Sequence, residues 1–456
     1  IAANGIDRDI FVPQHHAGKY KHTITPLDPL STKTVADPNT QRAAYGIPAS
    51  QRGSNPKNLQ VTWGTGTYGY LPSDLTSFYN QFSIDESVNL VSAGPFPGTP
   101  GGDNFVEGTL DISYITGIGQ GIHSICDNTN DTSSTETSTG FGYALMGYLS
   151  ELAAAKTVPT LISMSLGSLS WDSCNILCEK VAADSHYSYN ECSKYLYGLR
   201  QVCMYDSGAQ MSRANTEFMK LGLRGTTIVA AAGDGGSHFS FEKYHGFSEL
   251  VRKLNEVSCK YNFPTFPAAS PYVLAVGGNT WPNGPSTPSH WSGGGSGFSW
   301  RFPMPDYQKS VVNAYLKANA GSNPAPGAFN ASNRAYPDLS TMAVNIPLVY
   351  DGHSGTVGGT SASAPEAAGM ISLINDVRMN AGLKPLGWVN PRLYQMGEAH
   401  ASESFYDITD GNTNCGSSGY CCSSGFVAST GYDLASGFGS PRWAGFVKYL
   451  GSDSEL

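Results

Sequence analysis

The stretch that most constrains the fold is Gly358-Gly359-Thr360-Ser361-Ala362-Ser363-Ala364-Pro365, with the apolar run behind it to Val377. Ala367, Ala368, Met370, Ile371, Leu373, Ile374 and Val377 make a helix here apolar almost all round, so it has to be buried on every side. That requires a large surrounding core. A chain of 456 residues, 40% of them apolar, can build one as a single big domain or two modest ones. The small-residue turn delivers Ser361 to the start of the helix, where backbone N–H groups point outward and no bulky side chain blocks an approaching carbonyl. Pro365 is expected in the first turn, where its missing N–H costs nothing. A buried helix that aims a serine out of a glycine turn suits a nucleophile mount. A Gly/Ser loop capping an ordinary core helix would have the same local pattern.

Around this stretch, short apolar runs bounded by Gly or Pro suggest buried strands at Leu59 to Trp63, Val88 to Ala93, Leu161 to Leu166, Thr226 to Ala232, Tyr272 to Val276 and Leu348 to Tyr350. Helical patterns lie between them, at about Val106 to Ile115, Phe141 to Ala155, Met211 to Leu223 and Tyr307 to Ala318. Such alternation predicts an α/β fold, a mainly parallel sheet with helices on both faces and a site at the carboxyl ends of the strands. Two parts interrupt it. Trp171 to about Gly208 carries four cysteines and reads as an insertion stapled by its own bridges. Pro282 to Phe302, with Ser292-Gly-Gly-Gly-Ser-Gly297, reads as a loop flexible enough for a ligand backbone to come close. Residues 1–30 lack periodicity and read as an extended arm, in part the remnant of a pro-segment linker. Residues 31–456 form the globular part.

Charge and cysteine usage exclude several function classes. The 27 basic and 36 acidic residues give a mildly acidic surface with no basic run suited to nucleic acid. No run of about 18 apolar residues is present to span a membrane. The start at Ile1, with neither initiator Met nor signal peptide, fits a processed mature form. Of nine cysteines, Cys174, Cys178, Cys192 and Cys203 form one cluster and Cys415, Cys421 and Cys422 another, while Cys126 and Cys259 stand alone. Neither cluster has zinc spacing, so disulfides and a compartment outside the cytosol are expected. Asn130-Asp131-Thr132 and Asn330-Ala331-Ser332 are glycosylation sequons.

A serine hydroxyl needs a base. None of the ten histidines lies in the His-Gly-Thr-His setting of subtilisin-like proteases, and no G-x-S-x-G elbow occurs. Asp206-Ser207-Gly208 faintly resembles the subtilisin aspartate motif but lies inside the cysteine insertion. Carboxylates offer another base. In Glu107-Gly108-Thr109-Leu110-Asp111 the two acids share one helix face a turn apart, and if that face is partly buried one carboxyl holds a proton and orients the other. A solvated acidic turn would have the same spacing. Asp234, in Ala230-Ala231-Ala232-Gly233-Asp234-Gly235-Gly236, follows an apolar strand with glycines on both sides, as an ordinary Asp-Gly turn also would.

Taken together, Glu107 with Asp111, then Asp234, then Ser361 stand in the chain order of the sedolisins, the serine-carboxyl peptidases. The sequence resembles that family, most of all the branch of lysosomal tripeptidyl peptidase and the fungal acid sedolisins. The likeness runs from about Thr32 to the end. It includes Phe263-Pro-Thr-Phe-Pro267, Arg334-Ala-Tyr-Pro-Asp338 and Leu386-Gly-Trp-Val-Asn-Pro-Arg-Leu-Tyr394.

The resemblance implies a subtilisin-like fold in which glutamate replaces histidine. Ser361 would be the nucleophile, Glu107 the general base and then acid, and Asp111 the residue orienting Glu107. Asp234 would be an oxyanion-hole donor beside the Ser361 N–H. Ser165, Leu166 and Gly167 would pair with substrate backbone. A single structural Ca2+ would be held by the Asp407 and Asp433 carboxylates and the carbonyls of Ile408, Ser429 and Gly431, in a region spanning about 405–435. Ser429 departs from the glycine frequent in relatives. The cysteine-rich insertion departs further and leaves substrate preference open. The implied activity is acid hydrolysis of peptide bonds, releasing tripeptides from amino termini or cutting internally as an endopeptidase. A non-catalytic binding homologue is the rival class. The implied partners are peptide or unfolded-protein substrates and the chain's own cleaved pro-segment. The expected oligomeric state is a monomer, secreted or in a lysosome-like acidic compartment. The expected pairing joins Cys174, Cys178, Cys192 and Cys203 among themselves. Cys415 pairs with Cys421 or Cys422, the one left over pairs with Cys259, and Cys126 stays free.

Overall fold

The computed structural model describes residues 25–26, 35–85, 90–94, 100, 103–129, 140–199, 202–205, 207–241 and 248–453. Most of the N-terminal arm, Asp206 and the first sequon lie outside them. The centre is a sheet of eight strands among the described residues: β1 (Leu59–Thr65), β2 (Leu90–Ala93), β3 (His123–Thr129), β4 (Leu161–Met164), β5 (Thr227–Ala231), β6 (Leu274–Thr280), β7 (Ser289–His290) and β8 (Leu339–Met342). Its order is β7-β6-β5-β4-β1-β3-β2, with β8 also on β6, and every pair is parallel except β7 with β6. The chain leaves β1 towards one side and β4 continues towards the other. The crevice at the carboxyl ends of β1 and β4 is therefore the switch point where such sheets place their sites.

Alternation along the strands sends side chains to two cores. Leu161, Val229, Ala231, Leu274 and Val276 pack with the helices α1 (Asp103–Ile118) and α2 (Thr360–Asn380). Ile162, Met164, Ile228 and Ala230 pack with the helices Gly140–Ala154 and Gly208–Leu223 on the other face. The expected α/β architecture with helices on both faces is present. At Gly369 a β-carbon would come within 2.8 Å of the Gly119 amide, so glycine there lets α2 lie against the end of α1.

Three expectations need correction. Pro365 lies inside α2, past the first turn, so it does remove a helical hydrogen bond. Strand β6 begins later and runs longer than read, through Gly277, Gly278 and Asn279, because β8 pairs with it there, beyond the end of its pairing with β5 at Val276. The stretch Pro282 to Phe302 is not a free loop. It contains β7 and most of the strand Gly297–Pro303, which pairs with Asn333–Tyr336. Gly293, Gly294 and Gly295 are buried against the Asp234 turn: the Gly295 amide donates to the Gly233 carbonyl at 2.6 Å and the Gly236 amide to the Gly293 carbonyl at 3.1 Å.

The insertion is two helices, Trp171–Asp184 and Tyr189–Gly198. Cys174–Cys203 and Cys178–Cys192 staple it, Cys259–Cys422 and Cys415–Cys421 lie beyond it, and Cys126 is free and buried. This is the expected pairing. The insertion shares a core with the helix Glu249–Ser258 and is tied to the strand Gly297–Pro303 by Arg301, whose Nε and Nη2 donate to Asp172 at 2.6 and 2.9 Å. Among the described residues no helix is long and apolar enough to cross a membrane.

Candidate active site

Helix α1 crosses beneath the switch point and carries Glu107 and Asp111 on one face, both with no solvent exposure. The solvated-turn reading of this pair is therefore excluded. Asp111 is held from both neighbouring strand ends. Tyr68, just after β1, donates its hydroxyl to Asp111 Oδ2 at 2.6 Å, and Ser165, just after β4, places its Oγ 2.6 Å from Asp111 Oδ1. Burial, and next the charge of Glu107, push the Asp111 carboxyl well above the usual range, against the pull of these two hydrogen bonds.

Asp234 follows β5 and is also buried. Its Oδ1 accepts the Thr360 amide at 2.8 Å and the Thr360 hydroxyl at 2.7 Å, while that hydroxyl accepts the Gly233 amide at 3.1 Å. With Oδ1 occupied as an acceptor of two donors, a proton on this carboxyl sits on Oδ2. Gly359 precedes Thr360 with φ 141°, a conformation that favours glycine, and so turns the chain into α2 with Ser361 at its second position. Ser361 is buried, and its carbonyl lies 3.1 Å from Ser165 Oγ.

The structure thus brings Asp111 and Ser165 to the Ser361 backbone and ties Asp234 to the residue before Ser361. Glu107 comes in on the same helix as Asp111. Leu166 and Gly167 continue from Ser165 and are buried between the end of β4 and the short strand Ser168–Leu169. Tyr68 and Thr360 were not singled out from sequence. Thr360 sits inside the serine motif, and Tyr68 sits in a Gly-Thr-Tyr-Gly-Tyr run after a strand, a signal available in hindsight. A recess beside Asp234 is lined by Gly236, His238, Phe239, Phe263, Thr265 and Tyr336. Phe239 and Phe263 belong to the core of the cysteine-rich insertion, which therefore backs this recess. Burial lowers the His238 imidazole to about 4.

The C-terminal carboxylates converge on one turn. Asp433 Oδ2 accepts the Ser429 amide at 2.9 Å and Asp407 Oδ2 accepts the Gly431 amide at 2.9 Å. Asp433 Oδ1 also accepts the amides of Ala435 and Ser436 at 2.8 and 2.7 Å. Burial pushes Asp433 up to about 8 and raises Asp407 as well. Among the described residues no three His, Cys, Asp or Glu side chains cluster as metal ligands, so carbonyls would have to complete any set here. Two carboxylates on one turn, one of them fully buried, fit a hard cation with oxygen ligands.

A mainly parallel sheet with helices on both faces, with buried carboxyls on the elements that flank Ser361, is an α/β fold of the subtilisin-like kind. A sedolisin from Pseudomonas, a serine-carboxyl proteinase solved with two molecules of pseudo-iodotyrostatin, superposes with a TM-score of 0.64 at 20% identity, over 93% of this chain and 100% of that one. Tripeptidyl-peptidase 1 of dog is 37% identical over 233 residues, and that of cattle 36% identical over 233, in each case 47% of this chain and 36% of the relative. The chain thus spans about a third of the length of the curated relatives it matches. No protein-family model matches it. The chain is thus similar in sequence to part of tripeptidyl-peptidase 1 and in fold to a sedolisin.

Proposed function

We propose that this chain is an acid-acting serine-carboxyl peptidase that cleaves peptide bonds through an acyl-enzyme on Ser361. The observation that carries the reading is that two buried carboxyl groups are tied to the backbone around one serine: Asp111 reaches the Ser361 carbonyl through Ser165, and Asp234 is bonded to Thr360. In the proposed reaction Ser361 Oγ attacks the substrate carbonyl while Glu107 takes its proton. Asp111, holding a proton of its own, sets no like charge beside Glu107 as it does so. Asp234 donates from Oδ2 to the oxygen on which charge develops, beside the Ser361 N–H. Glu107 returns the proton to the leaving amine as the C–N bond breaks, and water repeats the cycle against the acyl-enzyme, releasing the acid and restoring the serine.

Such a carboxyl can donate only while protonated, so activity should peak at roughly pH 3–5, near the ordinary carboxyl range, and collapse towards neutrality. Release of tripeptides from amino termini is supported by the relatives named tripeptidyl-peptidase 1. Ser165, Leu166 and Gly167 are the proposed edge for substrate backbone, and the insertion behind the recess is the proposed source of side-chain preference. We include one structural Ca2+ on Asp407, Ile408, Ser429, Gly431 and Asp433, peptide and pro-segment partners, a monomeric state, and a secreted or lysosome-like setting consistent with the disulfides.

The test is product mapping by mass spectrometry on long peptides with free and blocked amino termini, across pH 2 to 8, with a fluorophosphonate label read on Ser361. Tripeptides from free termini at acid pH are expected. Rapid internal cutting of blocked peptides would make the enzyme an endopeptidase. No cleavage and no label would overturn the peptidase reading.

A further inference from the structure

An internal proline deprives the carbonyl four residues earlier of its helical N–H. In α2 the proline is Pro365, and that carbonyl belongs to Ser361. The hydrogen bond it receives from the side chain of Ser165, at 3.1 Å, takes the place of the helical one. Yet the same Ser165 Oγ lies 2.6 Å from Asp111 Oδ1, and a serine hydroxyl has only one proton to give. Asp111 Oδ2 already receives the Tyr68 hydroxyl at 2.6 Å.

Two proton arrangements satisfy this geometry to different degrees. With a proton on Asp111 Oδ1, donors run in one direction: Tyr68 to Oδ2, Oδ1 to Ser165 Oγ, and Ser165 Oγ to the Ser361 carbonyl. Every contact is then a hydrogen bond. With Asp111 ionised, the Ser165 proton turns to the charged Oδ1, where the bond is stronger, and the bond to Ser361 is given up. The titratable groups facing Asp111 are Glu107 on α1, Tyr68 after β1 and the Cys126 thiol on β3. Glu107 opposes ionisation of Asp111 by like charge, and none of the three supplies a positive charge.

We propose that Ser165 is a positioning residue that couples the protonation of Asp111 to the backbone of Ser361, granting the nucleophile's carbonyl a hydrogen bond while Asp111 is neutral and withdrawing it when Asp111 ionises. The inference rests on the peptidase reading above. It gives Ser165 a task beyond the substrate edge, because its side chain faces inward to α1 and α2. It also makes loss of the Asp111 proton felt twice, at the carboxyl pair and at the helix start that aims Ser361.

The experiment compares wild type, Ser165→Ala and Ser165→Thr by kcat and KM across pH 2 to 8, with thermal melts to confirm folding. Removing the Ser165 hydroxyl takes a donor from ionised Asp111, so its proton is held more tightly and the alkaline limb of the kcat profile should move to higher pH. The plateau should fall roughly tenfold, as for one lost hydrogen bond, with the loss in kcat and not in KM. Ser165→Thr keeps the hydroxyl and should restore both limb and plateau. An alanine variant whose limb coincides with wild type, whatever its plateau, overturns the coupling. If the alanine variant does not fold, Ser165→Cys keeps the size with a weaker donor and should move the limb the same way; an unmoved limb there is equally fatal. Fluorophosphonate labelling separates the two levels: label on wild-type Ser361 with an unmoved limb sinks only the coupling, whereas no label at any pH sinks the peptidase reading.

Discussion

Asp111 at the switch point and Asp433 in the C-terminal turn are both fully buried carboxyls, but they are held by different kinds of partner. Asp111 meets two hydroxyls, Tyr68 and Ser165. Asp433 meets three backbone amides, of Ser429, Ala435 and Ser436, with one hydroxyl from Ser436. A hydroxyl can rotate to give or to accept a proton, so it serves a carboxyl in either charge state; an amide can only give. The switch point therefore offers partners that serve a carboxyl in either charge state, whereas the amides of the C-terminal turn favour an ionised one, against the burial that pushes Asp433 up to about 8. A buried carboxylate of the second kind calls for a cation, which is the physical case for calcium there.

The comparison is broken most severely at the serine. Ser361→Ala should abolish covalent turnover and fluorophosphonate labelling while leaving calcium-dependent melting intact. Loss of both together would mean that the two regions are not separate. Asp234→Ala should lower kcat by about 10²–10³, as for one oxyanion donor. An Asp234→Ala enzyme that turns over at the parental rate would remove the carboxyl from the oxyanion role.

How much of this contrast could be read from sequence follows from the range of each interaction. Glu107 with Asp111, Asp234 and Ser361 were legible because their motifs are local: a helical spacing, a strand end, a glycine turn before an apolar helix. Five of the sheet strands were legible for the same reason, but β3, β7 and β8 were not expected, Leu348–Tyr350 lies in a separate sheet, and β6 runs on through Gly277 and Gly278, residues with little strand preference of their own, where β8 pairs with it. The Tyr68 and Ser165 bonds to Asp111 join residues 43 and 54 apart in the chain, and Ser165 and Ser361 are 196 apart, so no local pattern announces them. The glycine-rich segment 292–297 misled for a related reason, since its small residues are used to pack on the Asp234 turn. In the sequence, Arg334-Ala-Tyr-Pro-Asp338 and Leu386–Tyr394 are family likenesses with no role that their local pattern announces. In the fold they meet at Asp338, whose carboxyl takes Arg334 at 2.7 Å, Asn390 at 3.1 Å and Tyr394 at 2.7 Å, a buried brace for β8 that lies away from the proposed chemistry.

At the C-terminal turn the expected effect is on stability. Were the proposed calcium to bind the folded chain and not the unfolded one, a 100-fold excess over its Kd would add about 2.7 kcal/mol. Wild-type Tm should fall on chelation, and Asp433→Ala should have a lower Tm that no longer responds to calcium. Equal melts with and without chelator would mean that the amides alone satisfy Asp433.

The smallest effect tests the hydroxyl rule at a third buried carboxyl, one that takes no part in the proposed reaction. Glu366 lies on α2 with no solvent exposure, and its Oε2 receives the Tyr45 hydroxyl at 3.1 Å, while that hydroxyl accepts the Met342 amide at 3.0 Å. Burial pushes the Glu366 carboxyl well above the usual range, with the Tyr45 hydrogen bond opposing. The sign follows from linkage: the folded state holds this proton to higher pH than the unfolded state does, so the stability it contributes is complete below the unfolded value of about 4.3 and is lost as pH rises above it. Glu366→Gln cannot ionise and should escape that loss. The Tm difference between Glu366→Gln and wild type should therefore grow in favour of the glutamine variant from pH 4 to pH 8, by a few degrees, since about 1 kcal/mol moves Tm by roughly 2–4 °C in a large domain. A difference that stays constant over this range would show that a hydroxyl-partnered carboxyl in this core does not titrate on unfolding, and would undercut the same argument for Asp111.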